Sequence, residues 1–206
     1  MIAVVDYGSG NLHSIGSAFD MIGADVVVTN KPEDFQAATH IVLPGVGAFA
    51  VCMENLRASG VEESLREEVL EKGKPFYGIC VGMQVLAREG HEFGIHQGLG
   101  WLDGIVKKFD VDETQFKIPH VGWNEVIVTN DNPLFKDISV KDKTFYFTHS
   151  YHFISDDENL VAANCEYGES FPAALQKDNI FATQFHPEKS QENGLKVLEN
   201  FLNWKP

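Results

Sequence analysis

Short apolar runs alternate with amphipathic segments along the first part of the chain. Continuous apolar character, typical of buried strands, occurs at 2–6, 25–29, 40–43 and 75–79. Between these runs, apolar residues recur at helical spacing over 12–22, 48–56, 61–72 and 81–88. Strands that alternate with helices are joined by right-handed crossovers, which produces a parallel sheet covered by helices on both faces. The pattern therefore predicts an α/β fold for this part of the chain.

The pattern changes near Trp101, where strand candidates follow one another with only short loops between them. These candidates cover 105–109, 121–128, 144–153, 160–166, 173–176 and 180–185. Short connections favour antiparallel pairing, and an amphipathic helix is predicted over 191–204. Because no linker, repeat or low-complexity tract interrupts the chain, we expect one domain over 1–206. Its sheet should be mixed and largely parallel, flanked by helices, with an antiparallel section.

The chain is acidic, with 16 Lys and Arg residues against 30 Asp and Glu residues and a formal net charge of −14. Such a charge repels nucleic acid and anionic membranes, so neither is an expected partner. The chain begins MIAVVDYG without a basic leader, and no apolar run approaches the roughly 20 residues that span a bilayer. Cys52, Cys80 and Cys165 lack CxxC spacing and should be reduced thiols. We therefore expect a cytoplasmic protein that acts on small molecules.

Cys80 stands between the apolar run 75–79 and the helical segment 81–88, in the sequence GICVGMQ. A sharp strand-to-helix turn exposes its central side chain at the end of a sheet, which defines a nucleophile elbow. The turn also directs the first N–H groups of the helix, and the positive end of its dipole, toward that side chain. Both effects favour a thiolate. A single cysteine is more often a small buried hydrophobe, but this context makes Cys80 a candidate nucleophile.

A candidate base and its orienting group occur at His186 and Glu188. Residues two apart in an extended segment project to the same face, so these two side chains can lie side by side. In nucleophilic sites the base contacts the nucleophile and is held by a third group, whatever the distance along the chain. Cys80, His186 and Glu188 are therefore predicted to form a catalytic triad.

Two glycine-containing loops follow predicted strands and should lie with Cys80 at the carboxyl end of the sheet. The loop 6–11 contains Gly-x-Gly, but His13 stands where the dinucleotide fingerprint requires glycine, and no GxxxxGK[ST] phosphate loop is present. The loop 44–47 can turn tightly and bring a backbone N–H close to a ligand. We expect the N–H groups of Gly47 and Val81 to form an oxyanion hole.

Several segments together resemble the triad glutamine amidotransferases from end to end. They are VVDYGSGNLHSI, LPGVGAF, GICVGMQ, KIPHVGWN, YFTHSYHF and QFHPEKSQ. The cysteine elbow and the His-x-Glu pair occur throughout this class, whereas DYGSGN, KIPHVGWN and HPEKSQ resemble the glutaminase subunits of imidazole glycerol phosphate synthases. The resemblance implies that Cys80 attacks the side-chain amide of glutamine and that His186 moves the proton. Ammonia then leaves from a thioester that water hydrolyses to glutamate.

The resemblance also implies which residues bind glutamine. They are Val46, Gly47, Gln84, Glu92, His149, Ser150 and Tyr151. A free amino acid needs an acceptor for its ammonium group, which Glu92 can provide, and donors for its carboxylate, which the N–H groups of Ser150 and Tyr151 can provide. By residue type alone, Glu92 could equally be a solvated loop acid. In the family the oxyanion hole is often completed only when a partner signals, which makes Val46 and Gly47 candidate switch residues.

Ammonia is lost to water unless a sealed path carries it to an acceptor, so a partner is expected. The resemblance implies a (β/α)8 barrel cyclase, which uses the ammonia to form imidazole glycerol phosphate and an aminoimidazole carboxamide ribotide in histidine biosynthesis. Family positions that face this barrel match Asn11, Lys117, His120, Trp123, Asn124 and Lys189. Trp123 could also be a core aromatic residue, and Lys189 an ordinary surface charge.

The histidines do not indicate a metal site. His149 and His152 are three apart in a strand-like run and should therefore lie on opposite faces. His91 and His96 lack a cysteine at zinc spacing. We expect neither a metal nor a cofactor.

Two rival interpretations remain. A paralogous amidotransferase would supply ammonia to a different acceptor synthetase through a related barrel, and the residues do not exclude it. A binding subunit whose glutaminase site has decayed would release no ammonia. The intact Cys80, His186 and Glu188 argue against this second rival.

Overall fold

The computed structural model describes residues 1–129, 131–138 and 143–206. The α-helices in chain order are α1 (Leu12–Met21), α2 (Pro32–Ala37), α3 (Phe49–Ala58), α4 (Glu62–Arg66), α5 (Val81–Gln84) and α6 (Gln191–Asn203). The strands are β1 (Ile2–Val5), β2 (Val26–Thr29), β3 (His40–Gly45), β4 (Phe76–Cys80), β5 (Glu89–Gly90), β6 (His96–Gln97), β7 (Ile105–Lys108), β8 (His120–Glu125), β9 (Ile127–Val128), β10 (Thr144–His149), β11 (Tyr151–Ile154), β12 (Val161–Glu166), β13 (Ser170–Lys177) and β14 (Ile180–Thr183). Within these described ranges, no helix combines the length and the apolar character needed to cross a membrane.

The central sheet, over the described residues, has eight strands in the order β2-β1-β3-β4-β14-β13-β12-β9. The strands from β2 to β14 in this order pair in parallel, and β13, β12 and β9 add the antiparallel section. β1 and β4 are buried along their whole length, as expected for parallel strands covered by helices on both faces. The predicted α/β fold with a mixed, largely parallel sheet is confirmed.

Two predicted strands are each divided between different sheets. The pattern predicts one strand over 144–153, but the chain breaks at Ser150, so that β10 pairs with β8 and β11 pairs with β7. The predicted strand 121–128 is likewise divided into β8 and β9. The alternation of side chains does not continue across such a break, because each new strand sets its own faces.

The helix that follows Cys80 is shorter than predicted. The pattern predicts a helix over 81–88, but α5 ends at Gln84 and turns lead into β5. A single helical turn has little macrodipole, so the unpaired N–H groups at its start, rather than the dipole, can favour a thiolate.

Two other helical segments also differ from the pattern. The predicted helix 61–72 is α4, which continues as a π-helical turn over Glu67–Glu71. α2 lies where the pattern predicts no element. It begins at Pro32, with Glu33 and Asp34 in its first turn, and both features favour a helix start.

Aromatic rings fill the core beneath the site-bearing strands. Phe145 and Phe185 stack with their ring centroids 4.1 Å apart. The C-terminal helix α6 buries Val197, Leu198 and Phe201 against the same core, as its predicted apolar stripe requires. Burial of each large apolar side chain contributes about 1.5–3 kcal/mol. This packing fixes β14 and the segment after it, which carries His186.

Candidate active site

Cys80 is the last residue of β4 and directly precedes α5. Its backbone angles, φ 56° and ψ −110°, are rare for a residue with a side chain. The backbone on both sides of Cys80 is packed so closely that its glycines leave no room for a Cβ, and this packing holds the turn in place. A Cβ on Gly82 would lie 1.9 Å from the carbonyl oxygen of Leu43, and one on Gly78 would lie 2.7 Å from that of Gly82. The predicted elbow is therefore present, and β3 lies directly against it.

His186 and Glu188 meet at the end of the strand next to the elbow. β14 pairs in parallel with β4, so the segment after β14 emerges beside Cys80. His186 Nδ1 lies 2.9 Å from Glu188 Oε1, and both side chains are buried. The contact was expected from an extended segment, but the backbone forms a 3-10 turn over Pro187–Lys189 instead. The Ser190 hydroxyl fixes this turn by donating a hydrogen bond to the carbonyl oxygen of His186 at 2.6 Å.

The charge state of His186 is set by its neighbours. Burial lowers the pKa of His186, but the negative charges of Cys80 and Glu188 and the hydrogen bond to Glu188 outweigh burial and raise this pKa to about 10. Cys80 and Glu188 therefore favour the protonated form of the imidazole. Within the described part of the chain, its buried Nε2 atom has no hydrogen-bond partner, so this nitrogen can exchange a proton with a bound molecule.

A cavity of about 380 Å³ opens beside Cys80 and His186. Its other lining residues are Val46, Gly47, Val81, Gln84, Glu92, Pro119, Thr148, His149, Ser150, Tyr151 and Lys189. The structure thus brings together every residue that the resemblance implies for glutamine binding, together with both candidate oxyanion donors. The volume is typical of a small-molecule site, and most of the lining side chains are polar or charged, which suits a polar ligand.

Glu92 is held in place at this cavity by a helix terminus. Its Oε2 atom accepts the backbone N–H of Phe49, the first residue of α3, at 2.8 Å. A carboxylate at a helix N-terminus satisfies an otherwise unpaired N–H and interacts favourably with the helix dipole. Glu92 is therefore not a solvated loop acid, and its contact ties the segment after β5 to the start of α3.

The loop that carries Val46 and Gly47 is exposed at the cavity mouth. Gly47 has φ +99°, a conformation that favours glycine, and a Cβ there would meet nothing within 4 Å. The restriction at Gly47 is therefore conformational rather than steric. The Cys52 thiol donates to the carbonyl oxygen of Val46 at 3.4 Å, which joins the loop to α3.

His149 and His152 do not lie on opposite faces, contrary to the expectation. Because the strand breaks at Ser150, both imidazoles pack against Phe109, with ring centroids 5.1 and 4.7 Å from it. Burial lowers the pKa of both histidines. In the described ranges, no group of three or more His, Cys, Asp and Glu side chains is arranged to hold a metal ion.

Four of the six residues expected at a partner interface are exposed: Asn11, Lys117, Trp123 and Lys189. Trp123 is 47% exposed on β8, so it is not a core aromatic residue. Its ring contacts Tyr146 edge-on, and the Lys189 ammonium lies 5.7 Å from the centroid of the same tyrosine ring. This arrangement joins an exposed aromatic residue to a cation at the edge of the cavity.

The other two expected interface residues lie deeper. His120 is 3% exposed and stacks on Tyr167, with ring centroids 3.9 Å apart. Asn124 is half-buried and donates to the carbonyl oxygen of Glu166 at 2.9 Å. Because the His120 side chain is almost fully buried, it offers a partner almost no contact area. It supports β8 from beneath the exposed surface instead of forming part of that surface.

Gln184 is a site residue that the sequence patterns do not single out. Its side chain is fully buried, and its Nε2 atom donates to the Cys80 sulfur at 3.6 Å. The sequence offers one signal for Gln184, which is a lone amide side chain between the apolar residues of the run 180–185. A polar side chain buried in such a run requires a specific partner. Pro119 and Thr148 also line the cavity without having been predicted there.

The fold and the cysteine elbow indicate a glutamine amidotransferase, and comparisons with known proteins indicate the same class. The model of the class-I glutamine amidotransferase family matches residues 3–204, and the chain belongs to this family. A solved structure of PurLQS from Thermotoga maritima superposes with a TM-score of 0.72 at 20% identity, covering 98% of this chain and 97% of that one. At this identity the likeness shows the fold alone. The predicted resemblance to glutamine amidotransferases is confirmed.

Relatives of higher sequence identity show which members of the family this chain resembles. The chain is 50% identical to Imidazole glycerol phosphate synthase subunit HisH 1 of Campylobacter jejuni subsp. jejuni over 201 residues, which cover 98% of each protein. It is 46% identical to Imidazole glycerol phosphate synthase subunit HisH of Zymomonas mobilis subsp. mobilis, covering 100% of this chain and 96% of the relative. The predicted resemblance of this chain to the glutaminase subunits of imidazole glycerol phosphate synthases is thereby confirmed.

Proposed function

We propose that this chain is a glutaminase that hydrolyses the side-chain amide of glutamine to glutamate and ammonia. The observation that carries the proposal is the placement of Cys80 and His186 on one wall of a 380 Å³ cavity, with Glu188 hydrogen-bonded to the far side of the imidazole. Membership of the class-I glutamine amidotransferase family supports the same reaction.

The first half of the reaction forms a thioester. The Cys80 sulfur adds to the amide carbon while the carbonyl π electrons move to oxygen, and the N–H groups of Gly47 and Val81 stabilise the resulting oxyanion. Each such donor contributes roughly 2.7–4 kcal/mol to the transition state. As the oxyanion collapses, the C–N bond breaks and His186 Nε2 transfers its proton to the departing nitrogen, which leaves as ammonia.

The second half releases glutamate. His186, now neutral, accepts a proton from water as the water oxygen attacks the thioester carbon. The C–S bond then breaks, which restores the thiolate and the imidazolium. Glu188 holds the proton on Nδ1 in both halves, so that Nε2 is the nitrogen that exchanges protons, and it stabilises the positive charge of the ring.

Recognition of glutamine uses the remaining walls of the cavity. The Glu92 carboxylate accepts from the ammonium group, and the N–H groups of Ser150 and Tyr151 donate to the carboxylate. Gln84 and His149 complete the wall around Tyr151. Val46 and Gly47 lie on the exposed loop at the mouth, where a rearrangement of the backbone would switch the oxyanion hole between complete and incomplete.

The acceptor of the ammonia is a (β/α)8 cyclase subunit, with which the chain forms a heterodimer in the cytoplasm. This proposal rests on the two relatives, which are subunits of imidazole glycerol phosphate synthase by name. The exposed Trp123, with Lys189, Asn11 and Lys117, provides the docking surface, and ammonia passes between the subunits without release to water. The complex would form imidazole glycerol phosphate and an aminoimidazole carboxamide ribotide in histidine biosynthesis; the alternative is a paralogous acceptor synthetase.

The test combines Cys80→Ala and His186→Ala with supply of free ammonia. In the presence of the barrel subunit, both variants should lose glutamine-dependent synthesis, and ammonium salts at high pH should restore it because the barrel uses ammonia directly. Cys165→Ala removes another buried thiol and should keep both activities. Glutamine-dependent synthesis by Cys80→Ala would overturn the proposal. Loss of the ammonia-dependent activity as well would mean that the residues are structural.

A further inference from the structure

The amide of Gln184 lies between the nucleophile and a second buried amide. Its Nε2 atom donates to the Cys80 sulfur at 3.6 Å, and its Oε1 atom accepts from Gln84 Nε2 at 3.0 Å. The accepted hydrogen bond decides which end of the Gln184 amide faces the sulfur, since only the carbonyl oxygen can accept from Gln84. The N–H end is thereby directed at Cys80. An N–H donor favours a thiolate over a thiol.

Gln84 is fixed in turn by a backbone carbonyl. Its Nε2 atom also donates to the carbonyl oxygen of Tyr151 at 2.8 Å, and the same oxygen accepts from His149 Nδ1 at 2.9 Å. A carbonyl oxygen has two lone pairs and can accept both bonds. Because the oxygen can only accept, His149 must carry its proton on Nδ1.

The hydrogen bonds continue from His149 to the strand that bears Trp123. His149 Nε2 lies 3.2 Å from His120 Nδ1, and Asn124 Nδ2 lies 3.5 Å from His120 Nε2. His120 and His149 stand directly opposite each other in the β8–β10 pair. Burial lowers the pKa of His120 to about 4 and that of His149 well below its ordinary value, so both rings are neutral at pH 7.

The neutral rings permit one assignment of the protons. His149 accepts on Nε2, so His120 donates from Nδ1 and accepts on Nε2 from the amide of Asn124. Donors and acceptors therefore match at every contact from Asn124 to the sulfur of Cys80. A chain of matched hydrogen bonds in a buried region polarises and orients its members jointly.

We propose that Gln184 is a positioning residue of the nucleophile, which holds the Cys80 sulfur as a thiolate through its N–H, and that the His120–His149 pair fixes the orientation of Gln184 through Tyr151 and Gln84. His120 thus acts on the nucleophile from the strand under the exposed face of Trp123. The inference rests on Cys80 being the nucleophile. Its readout is alkylation of the sulfur, which requires no turnover, so its failure is separable from failure of the proposed function.

The direct test replaces Gln184 by methionine, which retains the volume but has no N–H donor. Iodoacetamide should alkylate Cys80 about 5–20-fold more slowly at pH 7 in Gln184→Met than in the wild type, as expected for loss of a hydrogen bond to a charged group. Mass spectrometry of peptides distinguishes Cys80 from Cys52 and Cys165, whose thiolates are disfavoured because burial raises their pKa values.

The pH profile separates positioning from a structural role. In Gln184→Met, the midpoint of the alkylation profile should move upward by about one pH unit, whereas Gln176→Met, a half-buried glutamine on β13, should leave it unchanged. An unchanged rate and midpoint in Gln184→Met overturn the proposal. If this variant does not fold, Gln84→Met carries the test, because it frees the Gln184 amide. A 2–5-fold slower reaction supports the proposal and an unchanged one overturns it.

The far end of the chain of bonds is tested with His120→Phe, which retains the stacking on Tyr167 and removes both hydrogen bonds. Alkylation of Cys80 should slow about 2–5-fold in this variant. The double variant with Gln184→Met should be no slower than Gln184→Met alone, since His120 acts through Gln184. An additive effect, or no effect of His120→Phe, overturns the assignment of the histidine pair.

Discussion

His186 Nδ1 lies 2.9 Å from Glu188 Oε1, and the two side chains are only 2% and 1% exposed to solvent. Removing a carboxylate from water is costly unless a cation or several donors compensate for the lost hydration. In the described residues, the Oε2 atom of Glu188 has no hydrogen-bond partner, so the compensation comes from His186. The pair is therefore stable when His186 is protonated, which agrees with a pKa raised to about 10.

Replacement of Glu188 by glutamine should impair catalysis and change its pH dependence. The variant loses the charge that favours the imidazolium, so the pKa of His186 should fall, and kcat/KM should fall on the order of 10²–10⁴-fold. His186 must be protonated to release ammonia. The decline of activity with rising pH should therefore occur at lower pH in the variant than in the wild type. Glu192→Gln, in the first turn of α6, is the control. If kcat/KM declined at the same high pH in Glu188→Gln as in the wild type, the assigned role of Glu188 would be contradicted.

Acid stability should depend on the neutral histidine pair. The pKa of His120 is about 4 in the folded chain and about 6.5 when unfolded, so the unfolded state binds more protons between these values. The free energy of unfolding should therefore fall as pH falls from 6.5 to 4. His120→Phe should be less stable than the wild type at pH 7 but should lose less on acidification, measured by urea unfolding. An equally steep loss in both proteins would contradict the depressed pKa.

The elbow should not tolerate a Cβ at Gly82. Alanine there would place a carbon 1.9 Å from the carbonyl oxygen of Leu43, and neither backbone can move without disturbing β3 or Cys80. We expect Gly82→Ala to lower the thermal midpoint and abolish glutaminase activity. Gly16→Ala, inside α1 with nothing within 4 Å, should be neutral or more stable by about 0.5–1 kcal/mol. A fully active Gly82→Ala protein would contradict the packing of the elbow.

Trp123→Ala should affect coupling more than folding. The side chain is 47% exposed and packs edge-on against Tyr146, so its removal should change the thermal midpoint little. Stimulation of glutaminase activity by the proposed barrel subunit should fall at least about tenfold, the range of an interface hot spot. Leu70→Ala, another exposed apolar residue, should keep the stimulation. Equal stimulation of Trp123→Ala and the wild type would exclude this surface as the docking site.

A strand can be predicted from the sequence where both of its faces are buried, because its apolar residues then form a continuous run. β1, β3 and β4 begin and end within two residues of the predicted runs, and this is sufficient to place Cys80 at the carboxyl end of the sheet. The break at Ser150 is not predictable in this way. The residues on both sides have strand character, and the break arises because β10 and β11 pair with different partners, which is a tertiary effect.

The role of Gln184 also lies beyond local pattern. Its orientation is set by Gln84, 100 residues away in sequence, and its contact with Cys80 exists only because β14 pairs with β4. A sequence pattern indicates that a buried amide needs partners, but only the fold identifies them. The proposed triad was accessible from the sequence because Cys80 stands at a strand-to-helix turn and Glu188 lies two residues after His186.

The most direct test measures release of glutamate from glutamine by the purified chain together with the proposed barrel subunit and the proposed nucleotide substrate of that subunit. The wild type should release glutamate, and Cys80→Ala should release at least about 10³-fold less, since the thioester cannot form. Glutamate release at equal rates by the two proteins would contradict the assignment of Cys80 as the nucleophile.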